Sequence, residues 1–382
     1  MYLGKLLKSV GKGNQKIYVE GISFDSRKVK KRDIFFAING NKTSGAQFVN
    51  EAILRGASVI ISSKKIKYKN CPIPIILVES VRKSLSEACS NFYKKTPSYI
   101  VAVTGTNGKS SVVNFFYQIL NLNKVSVASI GTLGIFSKNY RKKTNLTSFD
   151  PLSLHKNLDI LEKKKIKNVI LEASSHGLQQ KRLDNININT GIFTNLSHDH
   201  LDYHKSMHMY LNSKMYLFKN LLKRNSKIIT DEDIQEFKII KKIANQKKIR
   251  KITIGSKKGS IKILNNKYKN KKQIVKIFFN SKTYNLVIPL IGYFQIKNLL
   301  MAILAAMFCG INQKKIFNQL HKIKPVPGRL ECVASINNNS NIIVDFAHTP
   351  DALEQSLIAI KKQFKGEIII VFGCGGERDI NK

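Results

Sequence analysis

The sequence predicts an α/β protein organised in three units, and three observations carry that prediction. Short apolar runs alternate with helical segments along most of the chain, which is the rhythm of parallel strands joined by crossover helices. One such run, Ile100-Val-Ala-Val103, leads through a Gly-rich turn into an amphipathic stretch from Ser110 to Leu122. After Pro325-Val-Pro327-Gly328 the alternation starts again, and the Pro/Gly cluster marks a boundary.

Residues 1–86 form the first unit. Ile34-Phe-Phe-Ala-Ile38, Val59-Ile-Ile61 and Ile75-Ile-Leu-Val78 read as strands, and Gln47 to Arg55 as a helix, together a small α/β domain. In the second unit, residues 87–325, strands at Lys167 to Leu171 and Gly191 to Thr194 alternate with helices near Leu152 to Lys164 and Met207 to Leu222. The lysine- and asparagine-rich stretch from Asp233 to Lys282 is poorly patterned and is expected to hold a few strands with loops. In the third unit, residues 326–382, a strand from Asn341 to Phe346, a helix from Pro350 to Lys362 and a strand from Glu367 to Phe372 precede Gly373-Cys-Gly-Gly376. A doubly wound domain needs more than two strands, so this unit reads as incomplete.

Composition narrows the function classes. With 382 residues, 43% of them hydrophobic, the chain can bury substantial cores. Its 65 basic and 24 acidic residues give +41, a surplus that can signal a nucleic-acid partner. The excess is mostly lysine, spread among isoleucine and asparagine, as an AT-rich coding sequence would produce. No arginine stripe interleaved with aromatics accompanies it, so no nucleic-acid partner is expected. The N-terminus lacks an apolar h-region, and Leu299 to Ile311 is too short to span a bilayer, so no membrane insertion is expected. Five scattered cysteines without C-x-x-C spacing argue against a disulfide framework or zinc ribbon and fit a cytoplasmic location.

Two constellations carry chemistry. In Thr104-Gly-Thr-Asn-Gly-Lys-Ser-Ser111, Gly105, Thr106, Asn107, Gly108, Lys109, Ser110 and Ser111 lie between strand and helix, where backbone N–H groups converge on a polyphosphate. Lys109 supplies a point charge for the outer phosphates and Ser110 a hydroxyl for Mg²⁺. The full pattern asks for Gly where Val103 stands, which makes this a variant phosphate loop; the alternative is a turn that merely caps a helix. Glu172 ends a buried strand and could complete the Mg²⁺ shell. The run Thr194-Asn-Leu-Ser-His-Asp-His-Leu-Asp-Tyr-His204 is dense in His and Asp. His200, His204 and His208 at i, i+4, i+8 suggest zinc, but Mg²⁺ with phosphates prefers oxygen ligands and no H-E-x-x-H is present. Taken singly, His198, His204 and His208 read as ordinary surface or hydrogen-bonded residues.

Thr104 to Ser111, Glu172-Ala-Ser-Ser-His-Gly-Leu178, Asn195-Leu-Ser-His-Asp-His-Leu-Asp202, Gly328-Arg-Leu-Glu331, Asp345-Phe-Ala-His-Thr-Pro-Asp-Ala-Leu353 and Gly373-Cys-Gly-Gly-Glu-Arg-Asp379 resemble the ordered signature set of the Mur ligases, from about Asp25 to the last residue. The likeness is greatest to members that add the third peptide residue, usually meso-diaminopimelate, to UDP-N-acetylmuramoyl-L-alanyl-D-glutamate. The resemblance implies a three-domain architecture: a UDP-substrate-binding N-terminal domain, a central P-loop ATPase domain, and a Rossmann-like C-terminal amino-acid-binding domain, here truncated. It implies a cytoplasmic, monomeric, ATP- and Mg²⁺-dependent ligase of cell-wall precursor synthesis. Ser26 would lie near the UDP, while Thr147, Ser148, Ser174, Gln180 and Arg182 match substrate-holding positions. Lys214 falls where the family carries a carbamylated lysine, and His200 would share the second Mg²⁺. Asn298, Arg329 and Asp345 look like adenine, phosphate and ribose contacts of ATP, and Arg378 matches a residue near the incoming diamino acid. Departures are Thr147-Ser-Phe-Asp150 in place of a Thr-Thr-Pro-Asp run, Ser44 in place of an acid, and the absent Asp-Asn-Pro-Arg motif that selects diaminopimelate. These leave open an L-lysine ligase or a non-catalytic remnant that binds UDP-sugar or ATP. Folylpolyglutamate synthetase shares the phosphate loop but lacks the domain with Asp25-Ser-Arg27.

Overall fold

A computed structural model describes residues 1–40, 43–66, 71–144, 146–269, 271–336 and 340–373. They gather into two compact units: one of Met1–Pro97, Phe149–Lys165 and Gln179–Ile186, the other of Ser98–Ser148, Ile166–Leu178 and the chain from Asn187 onward.

In the smaller unit, β1 (Gly21–Ser23), β2 (Asp33–Phe36), β3 (Val59–Ser62) and β4 (Ile75–Leu77) form a parallel sheet in that order. The uninterrupted apolar run Ile34-Phe35-Phe36 reflects burial on both sheet faces. Ile34 and Phe36 pack with Leu3, Leu6 and Leu85, whereas Phe35 packs with Val49 and Ala52. Helices Val81–Phe92 and Pro151–Lys163 start at Ser80 and Asp150, whose side chains accept from Lys83 N and Ser153 N, each satisfying an orphan donor of a first turn. The expected helix from Gln47 begins differently: Gly45–Phe48 is a 3₁₀ turn and the α-helix runs Val49–Leu54. Ser44 caps that turn by accepting from Ala46 N, which tightens the entry.

The larger unit is built on one sheet of eleven strands. In chain order they are β5 (Tyr99–Thr104), β6 (Val127–Gly131), β7 (Gly134–Ser137), β8 (Tyr140–Lys142), β9 (Asn168–Glu172), β10 (Thr190–Phe193), β11 (Lys227–Asp231), β12 (Arg250–Gly255), β13 (Ile261–Lys269), β14 (Lys272–Phe279) and β15 (Lys282–Ile288). Their spatial order is β15-β14-β13-β12-β11-β10-β5-β9-β6-β7-β8. Register sets Val103 beside Glu172 and Thr104 beside Phe193, so β5, β9 and β10 end at one carboxyl edge, where such sheets place ligands. Helix Lys109–Leu122 packs on helix Tyr293–Met307 over this sheet, burying Val112, Phe115, Phe116, Leu299, Leu300 and Ile303. Each such side chain contributes about 2 kcal/mol of burial.

Two expectations fail. The stretch after Asp233 contains a helix, Phe237–Gln246, with Ile240, Ile243 and Ala244 buried; its i, i+3, i+4 pattern was masked by interspersed lysines. Glu367–Phe372 is no strand: it has no pairing partner among the described residues, and Ile369 and Val371 are 91% and 96% exposed. A β-rich apolar run becomes a strand only where a neighbour supplies the ladder. Before it, β16 (Glu331–Ile336) and β17 (Ser340–Val344) pair antiparallel, and helix Pro350–Gln363 starts at Thr349, which accepts from Ala352 N.

Candidate active site

The candidate phosphate loop links β5 to helix Lys109–Leu122 and is shaped by two glycines with positive φ, Gly105 (φ 147°) and Gly108 (φ 86°). A Cβ on Gly105 would run into Thr194 Oγ1, and one on Gly108 would stand 2.5 Å from Asn298 Oδ1. The residues after β10 lace the loop in place. Thr106 N donates to Asn195 O (2.9 Å), Asn107 N to Asn195 Oδ1 (2.9 Å), and Thr194 Oγ1 to Asn107 O (2.6 Å). Gly108 has no side chain to cap the helix, so first-turn N–H groups are left without a side-chain cap and could serve an anion. Lys109 Nζ folds back onto Gly105 O (3.0 Å) and Thr106 O (2.6 Å).

Glu172, buried at the end of β9, accepts from Ser110 Oγ (3.1 Å) and Thr132 N (2.9 Å) on Oε1, and from Thr132 Oγ1 (3.2 Å) on Oε2. Thr132 Oγ1 also reaches Thr147 Oγ1 at 3.2 Å. Ser148 Oγ donates to Glu172 O (2.9 Å) and lies 3.0 Å from Ser174 Oγ. The structure thus gathers Ser110, Glu172, Thr147, Ser148 and Ser174 around one strand end.

Lys214, on helix Met207–Tyr216, is 1% exposed; its Nζ donates to Gly105 O (2.7 Å) and lies 4.1 Å from the centre of the Tyr210 ring. The Tyr210 hydroxyl donates to Thr106 Oγ1 at 3.2 Å. Burial and then the charge of Lys109 hold the Lys214 amine well below the usual lysine range, against the pull of Asp199, because desolvation and a like charge both disfavour the ammonium. Lys109 keeps some solvent contact, yet burial lowers its pKa, opposed by Glu172 and reinforced by Arg329. His200 Nε2 stands 3.5 Å from Asp199 Oδ2, with His348 Nε2 at 3.9 Å from the same oxygen. His204 is buried, its Nε2 2.9 Å from Ser175 Oγ, and burial followed by the charges of His176 and Lys214 pushes it down to about 4.

A cavity of about 220 Å³ beside the loop is lined by Asn107, Gly108, Ser111, Asn298, Arg329 and Asp345 among others. Arg329 Nη2 donates to Ser110 Oγ at 3.5 Å and its guanidinium lies 4.6 Å from the Phe346 ring centre. Asp345 accepts from Leu330 N (3.2 Å), Phe346 N (2.9 Å) and Ser356 Oγ (2.5 Å). Ser26, Gln180 and Arg182 belong to the smaller unit and line its own groove of about 580 Å³, with Asp25, Arg27 and Arg82. There Ser26 Oγ donates to Glu51 Oε2 (2.6 Å), and Arg182 Nη2 to Gln180 Oε1 (2.7 Å). Hydrogen bonding by Arg27 holds the Asp25 carboxyl below the usual carboxylate range. Arg378 lies outside the described residues. Sequence reasoning missed Thr132, Asp199, Thr194 and Tyr210. Only Asp199 and Thr194 carried a signal, as members of the His/Asp-rich run.

Three segments match Mur ligase domains: residues 18–93 the Mur ligase family catalytic domain, 103–306 the Mur ligase middle domain, and 328–382 the Mur ligase glutamate ligase domain. The chain belongs to the Mur ligase family. Like other Mur ligases it is an ATP-dependent, amide-bond-forming enzyme. It is 41% identical over 368 residues to the UDP-N-acetylmuramoyl-L-alanyl-D-glutamate–2,6-diaminopimelate ligase of Rickettsia montanensis, covering 94% of this chain and 75% of the relative. Identity to the Brucella melitensis ligase of that name is 37%, covering 96% and 75%. A solved ligase of the same name aligns with a TM-score of 0.83 and 28% identity, over 99% of this chain and 78% of the other. The MurF ligase of Thermotoga maritima, solved with ADP, shares the Mur ligase fold at a TM-score of 0.64 and 21% identity, over 90% and 75%. No helix among the described residues is long and apolar enough to cross a membrane.

Proposed function

We propose that this chain joins meso-diaminopimelate to the D-glutamyl carboxylate of UDP-N-acetylmuramoyl-L-alanyl-D-glutamate with consumption of ATP. The observation that carries the reading is the meeting of Ser110 and Glu172, 3.1 Å apart, beneath a glycine-shaped loop crossed by Lys109. Acylation of an amine by a bare carboxylate is uphill. The γ-phosphoryl group therefore passes from ATP to the carboxylate, giving an acyl phosphate and ADP; the amine then attacks the acyl carbon, loses a proton, and phosphate leaves.

The loop N–H groups from Gly105 to Ser111 and the Lys109 ammonium would hold the transferring phosphates. Asn298, Arg329 and Asp345 line the cavity assigned to the rest of ATP. The donor set fits Mg²⁺: the Ser110 hydroxyl and the buried Glu172 carboxylate are hard oxygen ligands, and no ion pair neutralises Glu172 among the described residues. His200 and Lys214 would complete the metal positions, and Mg²⁺ when bound offsets charge building on the phosphoryl oxygens. An ammonium cannot ligate a cation. The depressed pKa of Lys214 favours a neutral amine that adds CO₂ and releases a proton, leaving a carbamate oxygen donor. Thr147, Ser148, Ser174, Ser26, Gln180 and Arg182 would hold the nucleotide-sugar peptide, and Arg378 the diamino acid. In this reading the chain is a cytoplasmic monomer with domains 1–86, 87–325 and 326–382.

The test is release of ADP and phosphate by purified protein given ATP, Mg²⁺, the UDP-linked dipeptide and either diaminopimelate or L-lysine. Turnover with diaminopimelate supports the proposal. Nucleotide binding without phosphate release sinks it in favour of a remnant, and a preference for L-lysine reassigns the amino acid.

A further inference from the structure

The excess of lysine has a structural focus. No Asp or Glu occurs between Glu236 and Glu331, so the stretch supplies no carboxylate of its own; Lys297 pairs with Asp231 and Asp233 from before it. Drift in base composition accounts for added lysine, but it does not by itself remove every carboxylate. Within this stretch β13, β14 and β15 form an antiparallel extension at one end of the large sheet.

Register separates its two faces. Ile263, Val275, Ile277 and Leu286 enter the core. On the opposite face Lys262 pairs with Phe278, Asn265 with Lys276, Lys267 with Ile274, and Lys269 with Lys272. These five lysines form no ion pair among the described residues. Between them stand partly exposed apolar side chains. Phe278 is 36% exposed and Val287 44%, while Leu264, at the bulge, is 49% exposed. Lys262 Nζ lies 5.6 Å from the Phe278 ring centre. The nine residues of β13 make this surface about 30 Å long.

Charge complementarity calls for an anionic partner, and the interleaved side chains select which. Single-stranded nucleic acid needs several aromatic rings to stack its bases, and Phe278 is the single ring this face offers among the described residues. An anionic bilayer surface takes lysines at headgroup level and aliphatic side chains into the interface. We propose that the outer face of β13–β15 is a peripheral docking surface for membranes rich in anionic phospholipid, engaged without any segment spanning the bilayer. The protein then meets the membrane side-on through the sheet end, remote in sequence from the phosphate loop.

Co-sedimentation of the full chain with vesicles tests this. Vesicles of phosphatidylglycerol with phosphatidylcholine should bind at least about tenfold better than phosphatidylcholine alone, with binding falling steeply between about 50 and 300 mM salt. The double variant Lys267→Glu/Lys276→Glu should lose about tenfold or more in partition, with ligation and melting temperature unchanged. Because the chain has no tryptophan, Phe278→Trp installs a lone tryptophan that can be excited selectively over the tyrosines, and its emission should move to the blue on anionic vesicles only. Equal binding to both vesicle types, a double variant that binds like the parent, an unmoved emission, or displacement from vesicles by a single-stranded oligonucleotide that binds more tightly would each overturn the proposal.

Discussion

Around the phosphate loop, Glu172, Lys109 and Lys214 are held by main-chain and hydroxyl partners in buried surroundings. In the groove of the smaller unit, Asp25 and Arg27 hold each other at the surface, and Arg182 leans on Gln180. The first arrangement fixes charges where the dielectric is low, and burial lowers the pKa of both lysines. The second depends on screened pairs worth little individually. The contrast suits a division in which one region performs chemistry and the other grips a large, hydrated ligand through many weak contacts.

That division makes the two regions respond differently to substitution, and the largest expected effect is at Lys214. Lys214→Ala should lower ligation kcat on the order of a thousandfold or more, with partial rescue by short carboxylic acids that replace the carbamate. Unaffected ligation would remove both the carbamate and the claim that buried charge governs this region. Glu172→Gln keeps the hydrogen-bonding shape but removes the charge, so kcat should fall by about a hundred- to a thousandfold while the Mg²⁺ requirement rises. A loss confined to KM for the UDP-linked substrate would instead move Glu172 into the gripping class.

The smaller unit has its own buried ionisable group. His155 is fully buried, its ring nitrogens make no hydrogen bond of ordinary geometry, and burial pushes it down to about 4 from 6.5, offset only in part by the Asp184 backbone. Because the folded pKa is depressed, the unfolded chain takes up the proton first, so stability falls as pH drops from 6.5 and levels off below about 4. The accumulated loss is about 3 kcal/mol. His155→Phe should flatten that part of the stability curve in acid denaturation; a parallel curve would show that other groups control it.

Smaller effects should follow at the loop and the groove. Gly108→Ala forces a Cβ to within 2.5 Å of Asn298 Oδ1 at φ 86°, which should destabilise by about 1–2 kcal/mol and raise KM for ATP. Arg27→Ala should leave the melting temperature almost unchanged, because its pair with Asp25 is solvent-screened, and raise KM for the UDP-linked substrate severalfold without altering kcat. A matching fall in kcat would erase the distinction between the two regions.

Much of the site was legible because its residues are contiguous. Gly105 to Ser111 read as a variant phosphate loop, with Val103 where the full pattern asks for Gly, and Glu172 reads as a strand end. Thr132 and Tyr210 were not legible, because their roles arise from contacts 40 and 104 residues away in sequence. The helix Phe237–Gln246 was obscured by lysines on its exposed face, and Glu367–Phe372 shows the converse, a strand-like run without a neighbour to pair with.

By itself the sequence determined the alternating α/β architecture, the loop conformation at Gly105 and Gly108, and the order of the chemical motifs. Those properties follow from local sterics and side-chain periodicity. Only the tertiary structure decided that Lys214 and Lys109 share the carbonyl of Gly105, that burial and then the charge of Lys109 lower the Lys214 pKa against the pull of Asp199, and that the five lysines of β13 and β14 lie on one face. Desolvation and charge proximity depend on distance in space, and strand register, rather than chain order, sets that distance.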